Sequence, residues 1–71
     1  SHIAELREKA LARKKAGDHA AAVDVLRVAV SLAPVHAGLA EELADALELV
    51  GKPAEAAHYR EVAAMTRERL G

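Results

Sequence analysis

Apolar side chains along the chain fall into four runs with helical spacing, separated by short interruptions. In the first run Ile3, Leu6 and Ala10 recur every three or four residues, with Leu11 alongside, which predicts a helix from about Ile3 to Ala16. Gly17-Asp18 ends it, because glycine suits the left-handed position after a helix and aspartate can cap the next one. The second helix, about His19 to Ala33, stops at Pro34, which disfavours helical backbone at the residue before it. A third runs from about His36 to Val50, carries Glu41 and Glu42 near its start, and closes at Gly51. Pro53 stands where a first helical residue belongs and introduces a fourth helix, which reaches about Leu70 ahead of a terminating Gly71. Such short connections make consecutive helices antiparallel neighbours, so the predicted fold is all-α, four antiparallel helices in two hairpins.

The second run is apolar almost all round. Ala22, Leu26, Ala29 and Ala33 form one stripe, widened by Val23 and Val30, and Val25, Val28 and Leu32 form another. Only Asp24, Arg27 and Ser31 remain as a polar strip, and a helix of that kind needs cover on more than one side. Two readings follow for the second stripe: core of a compact bundle, or a patch for association. The fourth helix adds Tyr59, Val62, Met65 or Thr66, and Leu70, an apolar edge that a further helix would cover. Val25, Val28, Leu32, Tyr59, Val62 and Leu70 together make the candidate association patch, with a second subunit or the rest of a parent chain as its expected cover.

Composition narrows the classes. The chain has 71 residues and no cysteine, so it reads as one domain with neither disulfide nor thiolate metal site. Its apolar residues include 18 alanines, 9 leucines and 7 valines with a single aromatic, a set suited to closely approaching helices. Ten basic against eleven acidic residues leave a net charge of −1, which argues against nucleic acid or an anionic membrane as partner. No apolar run approaches the roughly 18 residues of a membrane span and no signal peptide is visible, so a soluble, cytoplasmic protein is expected. The leading Ser1-His2 reads as the remnant of an excision from a longer chain.

The halves repeat at an offset of 34 residues, which aligns Gly17 with Gly51, Ala10 with Ala44, Ala22 with Ala56 and Ala29 with Ala63. Glu8 with Glu42, Ala12 with Ala46, Ala20 with Ala54 and Val28 with Val62 match as well. This pattern resembles the tetratricopeptide repeat, a helix–turn–helix unit of about 34 residues. The family's small residue late in the first helix is matched by Ala10 and Ala44, and its turn glycine by Gly17 and Gly51. The paired alanines of its second helix are matched by Ala22 and Ala29, then Ala56 and Ala63, and its closing proline by Pro34. The departures are Leu6 and Ala40 for the early aromatic, Arg60 where the first copy has Leu26, and Glu68 for the second proline. The resemblance covers nearly the whole chain, with repeats at about 3–36 and 37–70, and implies a right-handed superhelical fragment that binds proteins.

A narrower resemblance lies in Leu43-Ala44-Asp45-Ala46-Leu47-Glu48, Gly51, Ala54-Glu55-Ala56 and Tyr59-Arg60, with Ala16-Gly17-Asp18 upstream. These residues are similar to the helical dimerisation segment of alkylsulfatases, whose catalytic domain is of the metallo-β-lactamase type. Nothing here resembles that catalytic domain, so the likeness implies a structural dimerisation segment of a larger enzyme.

The concave groove of a repeat pair is lined by its first helices. Arg7, Leu11, Lys14 and Lys15 share a face of the first helix, and Glu41, Asp45 and Glu48 share a face of the third. These seven are the candidate partner-binding groove, fit for a peptide of mixed charge, unless the charges face and neutralise one another. Arg7 is followed one turn later by Leu11 and not by the asparagine of the family's peptide clamp, which speaks against capture of a terminal carboxylate. Glu55, His58 and Glu61 are three apart on the fourth helix, but a di-iron site needs a second such set, so no metal and no cofactor are expected. Arg13-Lys14-Lys15 complements a helix C-terminus. With no nucleophile–base pair around Ser31 or Thr66, the chain reads as a non-enzyme. Its expected partner is a protein: a peptide, a helix, or a second copy of itself in a homodimer.

Overall fold

The computed structural model describes residues 1–70 and consists of four α-helices, with no strand among the described residues. They are α1 (His2–Lys15), α2 (His19–Leu32), α3 (Ala37–Leu49) and α4 (Pro53–Leu70). Gly71, the expected terminating glycine, lies outside the described residues.

Each boundary has a chemical cause. Ser1 Oγ accepts the Ala4 N–H at 3.2 Å and Asp18 Oδ1 accepts the Ala21 N–H at 3.1 Å, so α1 and α2 both begin on side-chain caps. At the end of α1, Asp18 N donates to Arg13 O at 2.9 Å and Gly17 N to Lys14 O at 3.0 Å. At the end of α3, Lys52 N donates to Leu47 O at 2.9 Å and Gly51 N to Glu48 O at 3.1 Å. Both are Schellman motifs. Residue for residue they repeat at the offset that relates Gly17 to Gly51. The glycines carry the left-handed backbone this motif needs, φ +80° at Gly17 and +78° at Gly51. No atom lies within 4 Å of a Cβ built at either one, so a side chain there meets backbone strain and no clash. Gly17→Ala and Gly51→Ala are each expected to cost about 1–2 kcal/mol, read as a lower thermal midpoint, while Gly17→Asn costs less.

Packing runs strictly along the chain: α1 on α2, α2 on α3, α3 on α4, with α1 and α4 apart. The result is an open row of helices, 35 × 30 × 15 Å in extent, and not a closed bundle. The two middle helices therefore carry the core. From α3 come Leu39, Ala40, Leu43, Ala44, Ala46 and Leu47, and from α2 come Ala22, Val23, Leu26 and Ala29. The outer helices bury far less, Ala10 of α1 and Ala56 and Ala63 of α4. Four leucines, Leu26, Leu39, Leu43 and Leu47, are the largest fully buried side chains, and each contributes about 1.5–3 kcal/mol of burial. Three of the alanine pairs that repeat in sequence are buried in both copies, Ala10 with Ala44, Ala22 with Ala56 and Ala29 with Ala63, whereas Ala12, Ala20 and Ala54 are exposed.

Candidate interaction surface

Five arginine–carboxylate contacts organise the charged surface. Arg60 of α4 bonds both Asp45 Oδ1 at 2.9 Å and Glu48 Oε2 at 2.6 Å on α3, and Arg67 bonds Glu41 at 2.6 Å. Arg7 of α1 reaches Glu42 of α3 at 2.6 Å, and Arg27 of α2 reaches Glu55 of α4. Hydrogen bonding to Arg67 holds the Glu41 carboxyl below its ordinary range, and Arg27 does the same for Glu55. The guanidinium groups shift the other way: Arg60 is raised chiefly by its bond to Glu48, Arg67 by Glu41 and Arg27 by Glu55. For the two carboxyls the sign is that of a depressed folded-state value. Their contribution to stability is present above the ordinary carboxylate range and is lost as the pH falls through their own lowered one.

This pattern redistributes the residues of the candidate groove. Glu41, Asp45 and Glu48 share a face, as their spacing requires, and that face turns its carboxylates to the arginines of α4. Arg7 alone of the basic set reaches α3, and its partner is Glu42. Lys14 is half-buried, Lys15 is exposed, and neither makes an ion pair among the described residues. Leu11, at 49% exposure, stands open beside them, and Leu49 at the end of α3 is open at 59%. Leu49 escapes notice in the sequence because it closes a run of buried leucines.

The candidate association patch divides by depth. Val25 and Tyr59 are half-buried and pack against the core. Val62 is half-buried, while Val28 at 50%, Leu32 at 55% and Leu70 at 71% are exposed. Ala21, Val25, Val28 and Leu32 stand at alternating spacings of four and three, the seam of a helix that packs lengthwise on another helix. Val35, just past the end of α2 and 67% exposed, prolongs that spacing. On α4, Val62, Met65, Thr66 and Arg69 line a shallow depression of about 140 Å³. That volume is well below the roughly 300 Å³ at which small-molecule pockets begin. No three His, Cys, Asp or Glu side chains converge on a possible metal position among the described residues. No described helix is long and apolar enough to cross a membrane.

The two outward ends of the row differ from its middle. Where α3 buries Leu39, Leu43 and Leu47, the positions one repeat earlier on α1 are Glu5, Lys9 and Arg13, all exposed. Where α2 presents Val23, Leu26 and Val30 toward α3, the positions one repeat later on α4 are Ala57, Arg60 and Ala64, again exposed. Arg60 thus departs from Leu26 because it folds back onto Asp45 and Glu48. Comparison with protein-family models, with curated proteins and with solved structures finds no match to this chain.

Proposed function

We propose that this chain is a non-catalytic protein–protein association module of the tetratricopeptide-like kind, which docks a helix along the outer stripe of α2. One observation carries the reading: Val28 and Leu32 lie half in water on a helix whose Ala22, Val23, Leu26 and Ala29 are buried, in register with Val25 and Ala21. The groove reading has less support, since all three of its carboxylates already hold arginines of the same molecule. Charged residues on the outward faces of α1 and α4 disfavour stacking of a whole further hairpin, which leaves a single helix as the occupant. A helix from a second copy meets the requirement, because an isologous contact needs only that the stripe match itself.

The stripe is small. A few half-exposed aliphatic side chains fall short of the roughly 20–30 residues a side of a standard interface, so self-association is weak, with Kd in the micromolar range or above. Sedimentation equilibrium over a wide concentration range tests this. The wild-type chain is expected to shift from monomer to dimer, and a Val28→Asp plus Leu32→Asp variant to remain monomeric with unchanged helicity. A double variant that loses its helicity instead identifies the stripe as core, and a wild-type chain that stays monomeric throughout removes the second copy as occupant.

A further inference from the structure

We infer that the occupant of the α2 stripe is the α2 stripe of a second copy running in the opposite direction, with Ala21 against the partner's Leu32 and Val25 against the partner's Val28. The pairing rests on the stripe being the docking surface, and adds to it the occupant's direction and register.

The stripe is tapered. From the start of α2 to its end it carries Ala21, Val25, Val28 and Leu32, a methyl, two isopropyl groups and an isobutyl group. Exposure rises in the same direction: Ala21 and Val25 are half-buried, Val28 is 50% exposed and Leu32 55%. The surface is therefore a wedge, low where α2 begins and high where it ends. Two such wedges laid head to tail make a level joint, because each layer pairs a small group with a large one or two of middle size. Laid in the same direction, they set Leu32 on the partner's Leu32 and Ala21 on the partner's Ala21. The leucine end then holds the axes apart and leaves a gap at the alanine end, which forfeits contact along half the seam.

The flanks of the stripe select the same direction. One flank is Ala22 and Ala29, both 0% exposed and covered by their own molecule. The other is Asp24 and Ser31, both exposed. Arg27, the third residue of the polar strip, is held by Glu55 of α4. Antiparallel pairing brings like flanks together. In the stated register Asp24 comes within two residues, about 3 Å along the axis, of the level of the partner's Ser31. The serine hydroxyl can donate to the carboxylate directly or through one water, and the two-fold symmetry makes this contact twice. Parallel pairing brings unlike flanks together and sets Asp24 against the partner's alanine side, where a carboxylate loses water and meets no donor.

The chain has no cysteine, so introduced thiols report the contact without background. An Ala21→Cys chain and a Leu32→Cys chain are mixed and oxidised, and the disulfide products are weighed by mass spectrometry. Both positions lie off the core, and circular dichroism checks that each variant keeps its helices. The mixed product is expected to exceed either self-linked product at least tenfold. Two Leu32 positions in the antiparallel pair stand eleven residues apart along the axis, about 16 Å, whereas a disulfide tolerates a Cα separation of at most about 7 Å. Self-linked Leu32→Cys as the main product means a parallel pair and overturns the inference. A mixed product at its statistical share of about one half means no fixed direction and overturns it too. Sedimentation of the wild-type chain separates this inference from the reading beneath it: a monomer at every concentration fails both, and a dimer with the wrong cross-links fails the inference alone. Ser31→Lys gives a second readout. It places an ammonium beside the partner's Asp24 and is expected to tighten the dimer about three- to fivefold, a gain that Asp24→Asn in the same chain cancels. A gain that survives Asp24→Asn, or no gain at all, contradicts the pairing.

Discussion

Leu43→Ala is expected to remove about 2–5 kcal/mol of stability and to leave a large fraction of the chain unfolded at physiological temperature. Leu43 is fully buried in α3, the helix that packs on both α2 and α4, so the cavity has neighbours on two sides and little freedom to collapse. A domain of this length holds only about 4–10 kcal/mol in total. The deletion consumes much of that and lowers the thermal midpoint by about 10–30 °C, measured by far-ultraviolet circular dichroism. Val28→Ala removes a comparable aliphatic group from a half-exposed site and is expected to change stability by less than about 1 kcal/mol. Equal losses for the two variants would place Val28 in the core and refute its assignment to the surface.

The second large effect concerns assembly. Val23 and Leu26 of α2 and Leu39 and Leu43 of α3 belong to one buried cluster, with Val30 packed against it. One repeat away, the corresponding outward positions are Ala57, Arg60 and Ala64 on α4, and Glu5 and Lys9 on α1. A variant with Glu5→Leu, Lys9→Leu, Arg13→Leu, Ala57→Val, Arg60→Leu and Ala64→Val therefore carries a copy of the internal joint at each end. Such a heterologous contact does not close on itself, so the variant is expected to grow into head-to-tail polymers of many copies, seen by light scattering. Each triple variant alone supplies one half of the joint and should stay small. If the sixfold variant folds and remains small, the 34-residue correspondence is a likeness of sequence that the packing does not use.

Much of the fold is legible in the residues. Gly17, Pro34, Gly51 and Pro53 mark the breaks, and the helices end within a residue of the positions those marks predict. Spacing also groups Glu41, Asp45 and Glu48 correctly on one face. What spacing does not contain is which neighbour that face meets. The decisive clue sits on the other element. Arg60 and Arg67 are seven apart, as are Glu41 and Glu48, and an antiparallel pair of helices brings them together in reverse order. The divergence between Leu26 and Arg60 has the same kind of cause, since Leu26 belongs to the buried cluster between the hairpins whereas Arg60 bonds Asp45 and Glu48. The His36 cap is not visible in the pattern at all, because histidine is a rare cap and the space over Gly38 appears only in three dimensions.

The role of the α2 stripe is tested most directly by following backbone amide chemical shifts as the chain is concentrated. Association through this surface predicts concentration-dependent shifts at Val25, Val28, Leu32 and Val35, with Leu11, Asp45 and Leu49 unmoved. Shifts confined to Leu11, Lys14 and Leu49 would contradict it and move the docking surface to the groove between α1 and α3.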